Sequence, residues 1–176
     1  MSFKGFQSPR LFMKPVHRKL AQSLFPLLND QALYQYLPDQ PLTLEALEKR
    51  FTFWELGISP DQSEYWLNWV LQSKANEQFI GTIQAGIDRD SKVATIAYII
   101  GSDFQQKGYA TEAISALFTV LKEEYQVRQT KAWIDTRNLP SIRLVEKLGF
   151  KQIEFIESAD YFKGSQSDEF VYCLTF

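Results

Sequence analysis

Residues 93–121, VATIAYIIGSDFQQKGYATEAISALFTVL, contain the clearest structural signal in this chain. The β-branched run at Val93–Ile100 predicts a strand, because such side chains pack well on a pleated surface. After a loop bounded by glycines, apolar residues recur with the period of an amphipathic helix, at Ala110, Ala113, Ile114, Leu117, Phe118 and Leu121. This order predicts a helix packed on a sheet, as in an α/β layer.

Apolar runs on both sides of this unit extend the predicted sheet. The predicted strands are residues 10–15, 66–72, 79–87, 93–100, 131–135, 150–157 and 169–176. Further helices are predicted at 17–28 (which Pro26 should bend or shorten), at 44–54 after a Thr43 cap, and at 139–148 after an Asn138 cap. We therefore predict one α/β (α+β) domain over residues 1–176, with a single, mostly antiparallel central sheet of about seven strands flanked by helices.

Composition excludes several classes of protein. Lys plus Arg number 19 and Asp plus Glu number 21, so the net charge of −2 gives no basic footprint for nucleic acid. One cysteine, Cys173, and one histidine, His17, cannot form an internal disulfide or a His/Cys metal site. No apolar run approaches the ~20 residues of a membrane span, and the first residues lack a signal-peptide core. We expect a cytoplasmic monomer or homodimer with no metal, nucleic acid or membrane partner.

The loop at residues 101–111 has the composition of an anion site. Gly108 allows a tight turn into the helix, where free N–H groups of residues 107–111 converge and the helix dipole favours negative charge. Lys107 adds a cation and Thr111 a hydroxyl. The pattern is neither GxxxxGK[ST] nor GxGxxG. Taken alone, it fits a phosphate or pyrophosphate site and an ordinary strand–helix turn equally well.

Two motifs together resemble those of the GNAT acyltransferases. QQKGYA at 105–110 resembles the Q/R-x-x-G-x-G/A pyrophosphate loop of that superfamily. NLPS at 138–141 and EKLGF at 146–150 resemble its N-x-x-S…E-K-L-G-F helix. FIGTI at 79–83 and GYATEA at 108–113 are most similar to the ribosomal-protein N-terminal (Rim-type) branch. The motifs follow each other in the family's order.

This resemblance covers about residues 10–157 and implies an acetyl-CoA site. In the family, the sheet splays between its fourth and fifth strands, here Val93–Ile100 and residues 131–135. The pantetheine arm then pairs with the freed backbone groups as an added strand would. By position, the resemblance implies these cofactor contacts: Tyr98, Ile99, Ile100, Gln105, Gln106, Lys107, Gly108, Tyr109, Ala110, Thr111, Asn138 and Ser141.

The resemblance also implies catalytic groups at two places. An N–H at Ile99 or Ile100 would face the thioester oxygen as the oxyanion donor, and we assign the catalytic role to Ile99. Many family members carry a tyrosine that protonates the leaving thiolate, and this chain has Val145 at that position. Ser141 is the only hydroxyl on that stretch of helix, so we assign it the role of the acid.

The general base is less clearly indicated. Rim-type relatives often have glutamate in the fourth strand where this chain has Thr95, so that carboxylate is absent. Asp135 ends the next predicted strand near the same cleft and is a candidate base, although it could equally anchor the turn at residues 136–138. A water chain that deprotonates the amine is the third possibility.

The resemblance implies an acetyl-CoA-dependent N-acetyltransferase that acetylates a primary amine by direct attack in a ternary complex. The amine belongs to a protein N-terminus or a small molecule, and the net charge of −2 weakly favours a cation. The alternative is a non-catalytic acyl-CoA-binding module. We expect acceptor selectivity in three loops, at residues 34–41, 56–64 and 160–167. Four aromatic residues fit either an acceptor pocket or the core: Trp54, Tyr65, Trp66 and Trp69.

Overall fold

Eight strands form one sheet in the computed structural model, which describes residues 3–176. They are β1 (Phe6–Gln7), β2 (Leu11–Pro15), β3 (Glu64–Ser73), β4 (Phe79–Asp88), β5 (Val93–Ile100), β6 (Gln129–Asp135), β7 (Lys151–Phe162) and β8 (Ser165–Thr175). Their order in the sheet is β1-β2-β3-β4-β5-β6-β8-β7, and only β5 and β6 pair in parallel. The mostly antiparallel mixed sheet is confirmed. The strand not predicted, β1, is too short to show an alternating pattern.

Four α-helices flank the sheet, and both predicted N-caps are present. The helices are α1 (Ala21–Leu28), α2 (Leu44–Trp54), α3 (Tyr109–Glu123) and α4 (Leu139–Lys147). Thr43 accepts a hydrogen bond from the N–H of Ala46 at 3.2 Å, and Asn138 accepts one from Ser141 at 3.3 Å. The helix α1 ends at residue 28 as predicted and contains Pro26 in its last turn, but it begins at Ala21, because Arg18–Leu20 form a separate 3-10 helix.

The two faces of the sheet carry different helices. Buried side chains of α3 and α4, including Ile114 and Val145, pack on one face together with Trp69. Buried side chains of α1 and α2, including Leu24 and Phe51, pack on the other face. No helix within residues 3–176 is long and apolar enough to cross a bilayer.

The predicted splay lies between β5 and β6. The two strands pair only at their starts, through Val93 with Gln129, Ala94 with Thr130 and Thr95 with Lys131. The rest of β5 pairs with β4 alone, while β6 pairs along its whole length with β8. A V-shaped gap therefore opens beside the end of β5.

The expected acceptor loop at residues 160–167 is instead the tip of a β-hairpin. Strand β7 continues to Phe162 and β8 begins at Ser165, with Lys163 and Gly164 forming the turn. Both turn residues have positive φ values, 52° and 79°, which suit a tight two-residue hairpin turn. The strands in this segment could not be predicted from its polar sequence, because β7 is exposed along nearly all of its length.

Close packing at Gly81 holds β4 against β5. A Cβ atom at Gly81 would lie 2.0 Å from the carbonyl oxygen of Ile99, which is a backbone atom and cannot turn aside. We expect Gly81→Ala to lower the free energy of unfolding by about 1–3 kcal/mol, measured by urea titration. Gly86→Ala on the same strand is the control, because its Cβ would meet only Glu64 at 4.0 Å. Equal stability of the two variants would contradict this account.

Candidate active site

A cleft of about 710 Å³ opens at the splay. Its walls are the end of β5, the loop before α3, and the first turns of α3 and α4. The cleft brings together nearly all of the predicted cofactor contacts, namely Tyr98, Ile99, Ile100, Gln105, Gln106, Gly108, Tyr109, Ala110, Thr111, Asn138 and Ser141. Lys107 is the one predicted contact that does not line it.

The loop before α3 presents unpaired backbone donors to this cleft. Gly108 is the N-cap of α3, with φ at 81°, and no side chain caps the helix. Gln106 also has a positive φ, 59°. The left-handed residues Gln106 and Gly108 therefore lie on either side of Lys107, which does not have a positive φ. Alternating backbone conformations of this kind turn successive N–H groups toward one point and form an anion-binding nest. The geometry therefore suits a phosphate at the start of α3.

A network from the connection between β1 and β2 holds the outer side of this loop. The Glu112 carboxylate accepts hydrogen bonds from Ser8 Oγ at 2.6 Å and from the Arg10 N–H and Nε at 2.7 and 2.6 Å. Burial raises the pKa of Glu112, but these bonds outweigh it, and the pKa lies below its ordinary value. Arg10 also donates to the Lys107 carbonyl at 3.1 Å and lies 4.5 Å from the Tyr109 ring centre. This network fixes the loop to the body of the protein.

Lys107 points to the back of the loop. Its Nζ donates to the carbonyl oxygen of Asp103 at 2.7 Å and lies 5.8 Å from the ring centre of Phe104. In this position the lysine charge stabilises the loop and does not face the cleft. The anion site described here therefore consists of backbone N–H groups.

The ladder between β4 and β5 determines which backbone groups face the gap. The N–H of Gly101 donates to Ile80 at 2.9 Å, and donors alternate sides along a strand. The Ile99 N–H therefore points toward β4, and the Ile100 N–H points toward the gap. Gln105 Nε2 donates to the Ile100 carbonyl at 3.1 Å on that side. The ladder favours Ile100 over Ile99 as the oxyanion donor.

Asp135 does not line the cleft, and its carboxylate is already engaged. It accepts bonds from Arg137 N, Nε and Nη2 at 2.8, 2.9 and 2.5 Å, and from Ser167 Oγ at 2.6 Å. Burial raises the pKa of Asp135, but these donors outweigh it and hold the pKa below its ordinary value. A carboxylate so stabilised in its charged form is a poor proton acceptor. The geometry favours the turn-anchoring interpretation of Asp135 over the general base.

The side chain of Tyr98 is a feature of the cleft that the sequence analysis missed. It lies on the α3/α4 face of the sheet, beside Ser141 at the start of α4. Burial raises the pKa of the Tyr98 hydroxyl and the neighbouring Ser141 opposes that shift, yet their contact falls short of a well-formed hydrogen bond. A buried hydroxyl without a partner costs about 1–3 kcal/mol.

One of the three expected acceptor segments, residues 34–41, borders the cleft through Gln35, Tyr36 and Leu37. The second, at the hairpin turn, is tied to it because Lys163 donates to the carbonyl oxygens of Tyr34 and Leu37. The third segment, residues 56–64, instead borders a separate cavity of about 580 Å³, together with Tyr65. None of the other three aromatic candidates lines the cleft, and Trp69 is only 1% exposed.

Comparison with known proteins agrees with this geometry. Residues 10–151 match the family model described as Acetyltransferase (GNAT) domain. The protein named N-acetyltransferase YoaA of Bacillus subtilis (strain 168) is 21% identical over 173 residues, which cover 98% of this chain and 97% of that protein. Among residues 3–176, no group of three or more His, Cys, Asp or Glu side chains is arranged to hold a metal ion.

Solved structures show the same fold. RimL, the ribosomal L7/L12 alpha-N-protein acetyltransferase, in complex with coenzyme A, has a TM-score of 0.86 at 20% identity, with 96% of each chain covered. The microcin C7 self-immunity acetyltransferase MccE, in complex with acetyl-CoA and AMP, has a TM-score of 0.82 at 18% identity, covering 96% of this chain and 93% of that one. At this identity the RimL likeness shows the shared fold. With the family match across residues 10–151 and a sheet splayed beside an anion-binding loop, this chain belongs to the GNAT acetyltransferase family.

Proposed function

We propose that this protein is an acetyl-CoA-dependent N-acetyltransferase that acetylates a primary amine by direct attack in a ternary complex. One observation carries the proposal: the start of α3, the free edge of β5 and the start of α4 meet in a single cleft. The complexes of RimL with coenzyme A and of MccE with acetyl-CoA support the choice of cofactor.

Each wall of the cleft suits one part of the cofactor. The unpaired N–H groups at the start of α3 would hold the pyrophosphate. The edge of β5 that β6 leaves free would pair with the amides of the pantetheine arm, as an added strand does. Asn138, which lines the cleft and caps α4, would contact a pantetheine amide through the part of its side chain not used by the cap.

The reaction then depends on position and on a few hydrogen bonds. The amine nitrogen attacks the thioester carbon, and the Ile100 N–H stabilises the negative oxygen of the tetrahedral intermediate. When the intermediate collapses, the C–S bond breaks and Ser141 donates a hydrogen bond to the departing thiolate. The amine proton leaves to water, because Asp135 is held by Arg137 and Ser167.

The acceptor amine would enter at the front of the cleft, between residues 32–37 and the β7–β8 hairpin. Two acceptor classes remain: RimL is named for a protein N-terminus, and MccE is a self-immunity enzyme solved with AMP. A panel of peptide N-termini and small amines, read by release of free coenzyme A thiol, tests both. Binding of acetyl-CoA without thiol release for any amine would favour the non-catalytic module.

Gly108→Val tests the phosphate loop. Valine disfavours the φ of 81° at this position, and its Cβ would lie 3.4 Å from Arg10 Nη2, so the nest should open. Loss of one or two charge-assisted hydrogen bonds should weaken coenzyme A binding at least ~10-fold, measured by calorimetric titration. Gly149→Val is the control, because Gly149 also has a positive φ, 93°, and is not among the residues that line the cleft. An unchanged affinity in folded Gly108→Val would rule out the loop assignment.

Ser141→Ala tests the proposed thiolate donor. We expect kcat to fall roughly 10- to 100-fold with coenzyme A affinity almost unchanged, since the phosphate contacts remain. Asn138 caps α4 through the backbone N–H of residue 141, which alanine retains, so the melting temperature should change little. A folded variant that turns over at the wild-type rate would show that water protonates the thiolate unaided.

Asp135→Asn distinguishes the anchor from the base. As an anchor, Asp135 loses charge-assisted hydrogen bonds to Arg137 and Ser167, and stability should fall by about 1.5–3 kcal/mol in a urea titration. The shape of the kcat–pH profile should stay as in the wild type. If Asp135 is the base, kcat instead falls by ~10²–10⁴ and the acidic limb of the profile disappears.

A further inference from the structure

Two buried hydroxyls within residues 3–176 have no hydrogen-bond partner, those of Tyr98 and Thr130. Thr130 is fully buried in β6 and does not line the cleft. Tyr98 does line it, although its hydroxyl oxygen exposes less than 1 Å². Buried polar groups are nearly always paired, so an unpaired hydroxyl at the edge of a cleft requires an explanation.

The splay places this hydroxyl beside α4. Tyr98 follows Thr95, the last residue of β5 that pairs with β6, so its ring lies where the two strands have separated. Its side chain packs on the face that carries α3 and α4, and Ser141 is the polar side chain beside it. The Tyr98 hydroxyl therefore lies beside a functional group of the cleft, the Ser141 hydroxyl.

The rest of α4 offers no phenol to the cleft. Val145, on the next turn of α4, is fully buried in the core and does not line the cleft. Within residues 3–176, no side chain of α4 forms a hydrogen bond with the Ser141 hydroxyl, and the Asn138 cap bonds to the backbone N–H of residue 141. A serine hydroxyl rotates freely unless a partner accepts or donates a hydrogen bond.

We propose that Tyr98 is a positioning residue that donates a hydrogen bond to Ser141 Oγ when coenzyme A is bound, and so aims the Ser141 O–H at the cofactor sulfur. This proposal rests on the N-acetyltransferase function. With its oxygen occupied by the tyrosine proton, Ser141 has its own hydrogen free to point into the cleft. Chains of hydrogen bonds also polarise each other, which strengthens the final donor.

Neither Tyr98 nor Ser141 changes its charge when the thiolate leaves. As the tetrahedral intermediate collapses, the C–S bond breaks and its electron pair moves to sulfur. The thiolate is held by the Ser141 hydrogen bond and takes its proton from water as coenzyme A leaves. The ordinary pKa of tyrosine, about 10, already lies above that of a thiol, about 8.5. Burial raises the pKa of Tyr98 further, so the tyrosine keeps its proton throughout.

The first test measures sulfur recognition without turnover. Calorimetric titration compares coenzyme A with desulfo-coenzyme A, which lacks only the thiol. The wild type should prefer coenzyme A roughly 3- to 10-fold, the range expected for one hydrogen bond, and Tyr98→Phe and Ser141→Ala should each remove most of this preference. Thr130→Val is the matched control, because it deletes the other unpaired buried hydroxyl, and it should keep the preference.

The second test is the coupling between the two hydroxyls. Tyr98→Phe should lower kcat about 10-fold, and the double variant with Ser141→Ala should be no slower than Ser141→Ala alone. The melting temperature of Tyr98→Phe should not fall, because the Tyr98 hydroxyl has no partner in the free protein. Additive losses in kcat, or an unchanged thiol preference in Tyr98→Phe, would overturn the proposal. If no amine is acetylated while the thiol preference persists, the acetyltransferase proposal fails instead.

Discussion

The short pairing of β5 with β6 is the constraint on which the rest of this molecule depends. After three residue pairs the strands separate, since β6 follows β8 along its whole length. The separation leaves backbone donors and acceptors of β5 without strand partners in a partly buried gap, where unpaired polar groups are costly. A ligand rich in amides, such as pantetheine, would satisfy them. The splay also sets the end of β5 opposite the start of α4, which brings Tyr98 and Ser141 together.

A second constraint holds the anion loop in place from outside. Glu112 in the first turn of α3 accepts hydrogen bonds from Ser8 and Arg10, which lie between the strands β1 and β2. These hydrogen bonds hold the N-terminal segment and the loop together, although the two are far apart in the sequence. The loop can then present its N–H groups in a fixed arrangement, and little ordering entropy remains to be lost when an anion binds.

The parts of this structure that follow local rules could be predicted from the sequence. The 3.6-residue period predicts α3, the β-branched run predicts β5, and polar residues before apolar runs predict the caps at Thr43 and Asn138. Non-local contacts could not be predicted. Arg10 and Glu112 are 102 positions apart, and nothing in either segment indicates the pair.

The orientation of side chains and backbone groups within an element could not be predicted from the sequence either. Tyr98 could be assigned to β5, but its position beside Ser141 depends on where β5 and β6 part. The same ladder that directs the Ile100 N–H into the gap turns the Ile99 N–H away from it, and a register is fixed only when the strands pair. Asp135 likewise could be placed at the end of β6, whereas its bond to Ser167 needs the neighbouring strand β8.

The contact of Lys163 with residues 34 and 37 has a consequence for how this fold diversifies. The Lys163 side chain ties the hairpin turn to the backbone carbonyls of residues 34 and 37 beside the cleft, and a carbonyl is present whatever residue occupies the position. The inner walls come from α3, β5 and α4, whose side chains also form the core. Substitutions at residues 35–37 therefore leave these hydrogen bonds in place, whereas Tyr34 is buried and bonded to Leu28. If the amine enters here, as proposed, side chains of residues 35–37 and of the hairpin turn can change acceptor selectivity while the walls that would hold the cofactor stay the same.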